Sequence, residues 1–284
     1  MKQLFFTKLS GAGNDFILFD TKNNSELSLK PQIIQQICNR RFGIGADGLI
    51  LFSEANGFAF DMKYYNADGT TGSLCANGAR CALEYGFETG RVFDEKINFL
   101  SNGTEYAGEI LEKELVKFYL NPPKNFKYNF KIKAYNQLIN ASYVDTGSPQ
   151  VVIKISDILA DPKKPGSYFK KIEDVPVYQI GREIRYSPDL APEGANVNFI
   201  NIAEEYIHIR TYERGVEDET LSCGTGSVGS ALISFVNDNL QMPIKLRAKS
   251  GDILTVDFKV ENQKVSGLSL AGPAKIIFKG EITI

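Results

Sequence analysis

Apolar and polar residues alternate over 4–9, 59–65, 206–212, 253–260 and 275–284, the period-two signature of strands with one covered face. Strands therefore dominate the predicted structure. Asn102-Gly103, between the apolar run 97–100 and Glu105-Tyr106-Ala107, predicts a tight hairpin because glycine accepts the positive φ that such turns require. Asn262-Gln263 reads as a second hairpin turn. Helical periodicity is scarcer. Pro31 opens a run with Ile33, Ile34, Ile37 and Cys38 on one face, ending near Arg41 and Gly43, which places Cys38 in a core. Runs beginning at Ala76 (Cys81, Ala82, Leu83, Tyr85) and at Gly224 (Ala231, Leu232, Phe235, Val236) predict two buried helices.

Each of these two helices follows a cysteine loop, Cys75-Ala76-Asn77-Gly78-Ala79 in one case and Cys223-Gly224-Thr225-Gly226-Ser227 in the other. Two copies of one device in a chain of 284 residues, above the usual size of a single core, predict two related domains. Asn121-Pro122-Pro123-Lys124 marks the boundary, because consecutive prolines cannot pair in a central strand and stiffen linkers. The expected division is 1–121 and 122–270, with the strands of 271–284 returning to the first half. Asp161-Pro162-Lys163-Lys164-Pro165-Gly166 reads as a surface loop.

Composition narrows the function class. A chain 43% hydrophobic and 23% charged is that of a soluble globular protein, and no stretch approaches the roughly 18 apolar residues of a membrane span. Charge interrupts residues 1–8 before a signal-peptide core can form, so the expected compartment is the cytoplasm. Thiols stay reduced there, and the four cysteines (Cys38, Cys75, Cys81, Cys223) are not read as a disulfide framework. No metal is expected, because the Cys75 to Cys81 spacing exceeds that of common zinc sites and the single histidine, His208, is remote. A net charge of −2 gives no footprint for nucleic acid. The predicted partner is a small polar molecule.

The chemistry centres on the two loops. A thiol at a helix mouth is a thiol in which the thiolate is favoured, by unpaired N–H groups and by the helix dipole. A pair of them reads as acid and base. Cys38 and Cys81 read as core, since unactivated cysteine behaves as a small hydrophobe. Gly78 and Gly226 permit close approach to a ligand, and two helix N-termini converging on a carboxylate would form an anion site that also stabilises charge on a neighbouring deprotonated carbon. Helix capping by Asn77 or Thr225 is the structural counterpart of that reading. The glycine-rich segments 11–16 and 43–48 lack the dinucleotide and phosphate-loop fingerprints and read as turns. Glu213 and Arg214 end a strand and serve one site only if the chain bends at Gly215; otherwise they form an exposed ion pair. His208, in an alternating strand, reads as structural.

The chain resembles the diaminopimelate epimerase family over nearly its whole length. The likeness is carried by Gly11-Ala12-Gly13-Asn14-Asp15-Phe16, Tyr65-Asn66-Ala67-Asp68-Gly69, the loop 75–81, Asn196-Val197-Asn198-Phe199, Tyr212-Glu213-Arg214-Gly215 and Cys223-Gly224-Thr225-Gly226. The resemblance implies an α/β fold of two pseudo-symmetric domains, each a curved, mainly antiparallel sheet around a central helix, with the active site in a cleft between them. It implies an isomerase of lysine and cell-wall precursor synthesis that converts LL-2,6-diaminopimelate to the meso form. By the same likeness the reaction needs no cofactor, Cys75 and Cys223 are the two bases, and Glu213 is an ionisable helper. Ala76, Asn77, Gly224 and Thr225 would hold the α-carboxylate. Asn14, Asn66, Asn196 and Arg214 would contact substrate polar groups, Arg214 suiting the distal carboxylate. A homodimer is the family's expectation.

Departures from the family pattern are as informative. Gly147-Ser148-Pro149-Gln150 stands where Gly-Asn-Pro-His is common, so Gln150 replaces a histidine thought to tune a catalytic thiol and can act only by hydrogen bonding. Ser148 shortens a side chain that would help select the far end of the substrate. Ser10 stands for a common histidine and Ala76 for a usual glycine. Three further readings remain open: a two-thiol racemase or epimerase of another amino acid, a redox dithiol protein, and a substrate-binding relative that has lost turnover through the histidine change.

Overall fold

The computed structural model describes residues 3–24, 27, 29–72, 75–93 and 95–283; Met1, Lys2 and Ile284, which the sequence reading touched, lie outside them. The chain divides into two compact units, one running to Tyr119 and resuming at Ala271, the other from Leu120 to Leu270.

In the first unit, β1 (Gln3–Gly11) and β2 (Asn14–Asp20) form an antiparallel hairpin closed by Ala12 and Gly13 at φ 57° and 88°. Helix α1 (Pro31–Cys38) leads to β3 (Gly48–Ala55), parallel to β2, and β4 (Phe58–Asn66) returns antiparallel to β3. Helix α2 (Ala76–Glu88) leads in turn to β5 (Ile97–Ser101), parallel to β4, with β6 (Thr104–Glu112) and β7 (Leu115–Tyr119) as an antiparallel meander. The Asn102-Gly103 turn has φ of 49° and 78°, the paired positive values of a tight hairpin. Helix α1 stops at Cys38, short of Arg41, because Asn39 turns extended and its side chain accepts the N–H groups of Arg41 and Phe42 at 2.9 Å each, a local alternative to further helix.

The second unit repeats that order of connections. Strands β8 (Lys124–Ala134), β9 (Gln137–Asp145) and β10 (Pro149–Lys154) pair antiparallel in succession. Helix α3 (Val177–Arg185) lies in the crossover to β11 (Asn196–Ile202), parallel to β10, and β12 (Ile207–Glu213) returns antiparallel. After the short β13 (Asp218–Thr220), helix α4 (Gly224–Asp238) leads to β14 (Ile244–Arg247), parallel to β12, and β15 (Ile253–Glu261) pairs with β14. Asn262 and Gln263, at φ 50° and 62°, turn the chain into β16 (Lys264–Pro273). Finally β17 (Lys275–Thr283) lies antiparallel to β1. The result is a mixed α/β architecture in which strands outnumber helices, as the periodicity predicted.

Each unit wraps its strands around one helix. Helix α2 is buried from Ala76 to Gly86 and packs on β1–β4, β6, β7 and β17; α4 is buried from Gly224 to Ser234 and packs on β9–β12, β14 and β15. Helix α4 carries no charged residue before Asp238 and suits such an interior, whereas α2 also buries Arg80 and Glu84. The opposite sheet faces carry separate cores, α1 with Leu4, Ile17, Phe19 and Leu49 in one unit, α3 with Val151, Ile153, Val197, Phe199 and Tyr212 in the other. Strand alternation then sends Gln150, Asn196, Asn198 and Thr211 to the α4 side. His208 is half-buried in β12, in register with Asn201.

Candidate active site

Cys75 is the N-cap of α2. Its extended backbone (φ −111°, ψ 101°) turns the sulfur back over the first turn, where Sγ accepts the Gly78 N–H at 3.4 Å. The cysteine itself, rather than Asn77, performs the capping, so the sulfur sits where unpaired helix N–H groups stabilise negative charge. Asn14, at the start of β2, places Oδ1 3.8 Å from Sγ, and Asn77 Nδ2 donates to the same oxygen at 3.3 Å. Arg80, fully buried one turn on, donates to Asn77 Oδ1 at 2.9 Å and to the Ala76 carbonyl at 3.4 Å.

Behind Asn14 stands an ion network. Asp47 Oδ2 accepts Asn14 Nδ2 at 2.7 Å, Arg40 bridges Asp15 and Asp47 at 2.7 Å each, and Lys8 pairs with Asp15 at 2.6 Å. Burial alone would push the Asp15 carboxyl up, but hydrogen bonds and charge from Arg40 and Lys8 outweigh it and hold the group at about 2. This anchors β2 and hence Asn14. Cys81 is fully buried, its sulfur 3.2 Å from where a Cβ on Gly11 would lie, and burial pushes its thiol well above the ordinary range. Burial likewise pushes Cys38 up to about 12. Both are core thiols, as the sequence predicted.

Cys223 caps α4 in the same way, with φ −121°, ψ 110° and the Gly226 N–H donating to Sγ at 3.4 Å. Thr225 Oγ1 lies 3.6 Å from that sulfur. Around Thr225 the α4-facing side of the sheet supplies a polar cluster: Gln150 Nε2 donates to Ser148 Oγ at 2.8 Å and to Thr225 Oγ1 at 3.0 Å, and Ser148 Oγ donates to Thr225 Oγ1 at 3.1 Å. Asn198 Nδ2 donates to Gln150 Oε1 at 2.9 Å, and Thr211 donates to Asn198 Oδ1 at 2.8 Å. Gln150 and Asn198 are fully buried, and buried polar groups hold their place only when bonded in this way. Gln150 therefore reaches Cys223 through Thr225.

The chain bends at Gly215 (φ 93°), and the Arg214 N–H donates to Asn196 Oδ1 at 2.8 Å. Arg214 has Glu193 3.9 Å from its guanidinium, while Glu213 accepts from Thr220 at 2.9 Å. Asn66 closes its own turn, donating to Thr70 Oγ1 at 3.0 Å. Ala76 and Gly224 take the first helical positions, with their N–H groups at the helix mouths. So the structure gathers Asn14 and Asn77 about Cys75, and Thr225, Gln150, Ser148 and Asn196 about Cys223. Sequence reasoning passed over Asn198, Thr211, Arg80 and Asp47. Asn196 and Asn198, two residues apart in an otherwise apolar strand, were a legible signal of a polar patch on a buried face.

The sequence model of diaminopimelate epimerase matches residues 6–125 and 142–277. The chain belongs to the diaminopimelate epimerase family. The diaminopimelate epimerase of Chlorobaculum tepidum is 37% identical over 282 residues, covering 97% of this chain and 100% of the relative. That of Aquifex aeolicus is 32% identical over 290 residues, covering 98% and 97%. Among solved structures, a PhzF-family phenazine biosynthesis protein of Bacillus anthracis superposes with a TM-score of 0.74 at 15% identity over 100% of both chains. A probable proline racemase from Agrobacterium radiobacter gives 0.71 at 12% identity, covering 99% of this chain and 93% of that one. At such identities the likeness is one of fold. Membership of the diaminopimelate epimerase family makes the chain an isomerase of lysine biosynthesis, which sets aside the redox dithiol reading.

Proposed function

We propose that this protein converts LL-2,6-diaminopimelate to meso-diaminopimelate, without a cofactor, by a two-base mechanism in which Cys75 and Cys223 act on opposite faces of one α-carbon. The observation that carries the proposal is the repeated capping geometry: each thiol accepts an N–H from the first turn of its own buried helix. One sulfur, as thiolate, removes the α-proton while the other, as thiol, delivers a proton to the opposite face. The N–H groups of Ala76, Asn77, Gly224 and Thr225 hold the α-carboxylate and stabilise the charge that spreads into it. Arg214 grips the distal carboxylate, and Asn14, Asn66, Asn196 and Glu213 engage the remaining polar groups. Incubation with LL-diaminopimelate in deuterium oxide should label the α-carbon and yield the meso form. Cys75→Ser and Cys223→Ser should each slow the reaction by about 10²–10⁴-fold, the range for a lost general acid or base. Absence of label from folded protein would refute the reading.

A second substrate is favoured by Ser148, shorter than the family's asparagine and bonded within its own half-site. A panel of L-amino acids followed by chiral chromatography decides it, since turnover confined to diaminopimelate excludes another substrate. Family membership also supports a cytoplasmic homodimer, to be tested by sedimentation equilibrium and cell fractionation.

A further inference from the structure

Asn102 opens the tight turn between β5 and β6, at φ 49°, and its side chain does more than the turn requires. Strand β5 runs parallel to β4 as far as Ser101, opposite Met62, and the Asn102 N–H adds one more backbone bond, to the Met62 carbonyl at 3.1 Å. The chain then leaves β4, and the Asn102 side chain continues the ladder in its place. The Tyr64 N–H donates to Asn102 Oδ1 at 3.0 Å, and Asn102 Nδ2 donates to the Gly72 carbonyl at 2.8 Å. The amide can sit only this way round, because the Tyr64 N–H only donates and the Gly72 carbonyl only accepts. One half-buried side chain thus ties the β5–β6 turn to two other segments.

Gly72 is the receiving end. Its N–H donates to the Tyr64 carbonyl at 3.0 Å, so both of its backbone groups are held. It lies so close to the Tyr64 ring and the Asn66 amide that a Cβ would fall 2.3 Å from the ring and 3.1 Å from Asn66 Oδ1. Between Asn66 and Gly72 the chain folds back on itself. The Asn66 N–H donates to the Thr70 carbonyl and the Gly69 N–H to the Asn66 carbonyl, at 2.9 Å each, and Asn66 Nδ2 donates to Thr70 Oγ1 at 3.0 Å. The Asn66 amide is therefore lodged between Thr70 and Gly72, and Gly72 is held by Asn102.

We propose that Asn102 is a positioning residue for substrate binding: by gripping the Gly72 carbonyl it fixes the loop 66–72 and, through that loop, the Asn66 amide. The inference rests on the reading above in which Asn66 engages the substrate, and it extends that reading to a residue the sequence offered only as a turn. A two-residue hairpin asks of this position only that it accept positive φ, which aspartate and glycine also do. That separates the two roles. Asn102→Asp keeps the turn and the acceptor for the Tyr64 N–H but sets an oxygen against the Gly72 carbonyl, so it cuts the tether alone. Asn102→Gly keeps the turn and removes both side-chain bonds.

Two measurements on the full chain test the assignment. Amide hydrogen exchange should quicken at Asn66, Gly69 and Gly72 in both variants while β3 and β6 exchange as in the wild type; a role confined to the turn would leave 66–72 unchanged. With LL-diaminopimelate both variants should raise KM by roughly 3–10-fold, the range for one lost neutral hydrogen bond. Their kcat should stay nearly constant, since a loosened substrate contact weakens bound substrate and transition state alike. In an Asn66→Ala background Asn102→Asp should leave KM unchanged, because its route runs through Asn66. Unaltered amide exchange at 66–72, or KM effects that add in the double variant, overturns the inference. Deuterium labelling of the substrate α-carbon by the wild type keeps the two proposals apart. Its absence sinks the epimerase reading alone, and amide exchange then still decides whether Asn102 holds the loop. Labelling by the wild type with unaltered amide exchange in the variants sinks the Asn102 assignment alone.

Discussion

Gly226 and Gly78 occupy the same position after their cysteines, yet alanine should have opposite effects at the two. A Cβ on Gly226 would lie 2.2 Å from Asn198 Oδ1 and 3.2 Å from Cys223 Sγ, so Asn198 must move. That side chain is fully buried and bonded to Gln150, Val151 and Thr211. Displacing it sacrifices at least the Thr211 bond and leaves a buried polar atom short of a partner, a cost of about 1–3 kcal/mol, alongside overpacking of similar size. The gain of up to about 1 kcal/mol from replacing glycine in a helix offsets only part of this. Gly226→Ala is thus expected to destabilise the fold by about 2–4 kcal/mol. A Cβ on Gly78 meets Cys75 Sγ and Ile50 Cδ1 at 3.5 Å, ordinary contact, so Gly78→Ala should be neutral or stabilising by up to about 1 kcal/mol. Urea unfolding followed by circular dichroism measures both variants. Equal midpoints would show that the close approach of α4 to Asn198 does not constrain the loop.

Three other outcomes are expected. Asp15→Asn should lower stability at neutral pH by about 2 kcal/mol. Because the native carboxyl titrates at about 2, below its ordinary value near 4, that stabilisation is full above the ordinary value. It is lost as pH falls toward 2, and unfolding curves of wild type and variant should converge there. Arg80→Leu removes a charged donor from Asn77, worth about 1.5–3 kcal/mol. It should lower kcat/KM by roughly 10–150-fold in protein whose circular dichroism is native, and unchanged kinetics would dismiss Arg80 as a positioning group. Iodoacetamide at mildly alkaline pH should leave Cys38 and Cys81 unmodified in the native protein, since burial raises both thiols; peptide mass mapping reads this directly, and rapid labelling of either would show that its core opens.

Much of the fold was legible because its signals are local. Period-two alternation located β1, β4, β12, β15 and β17, paired positive-φ residues located the two hairpins, and the cysteine loops marked the starts of α2 and α4. Each depends on residues a few positions apart. Where a local signal was ambiguous, local geometry decided: the sulfur rather than Asn77 or Thr225 caps each helix, and the Asn39 side chain ends α1 early.

The sequence by itself determined that two thiols stand at two helix mouths, and it singled out Asn14, which lies beside the first, and Asn196 and Arg214, which join the polar cluster near the second. Only the tertiary structure decided how those thiols differ. Gln150 meets Asn196 through the parallel register of β10 and β11, Asn198 meets Thr211 through the antiparallel register of β11 and β12, and α4 descends on the cluster so closely that Gly226 has no room for a side chain. The direction of a hydrogen bond depends on what each partner is already bonded to, and those partners come from four elements that only the folded sheet brings together.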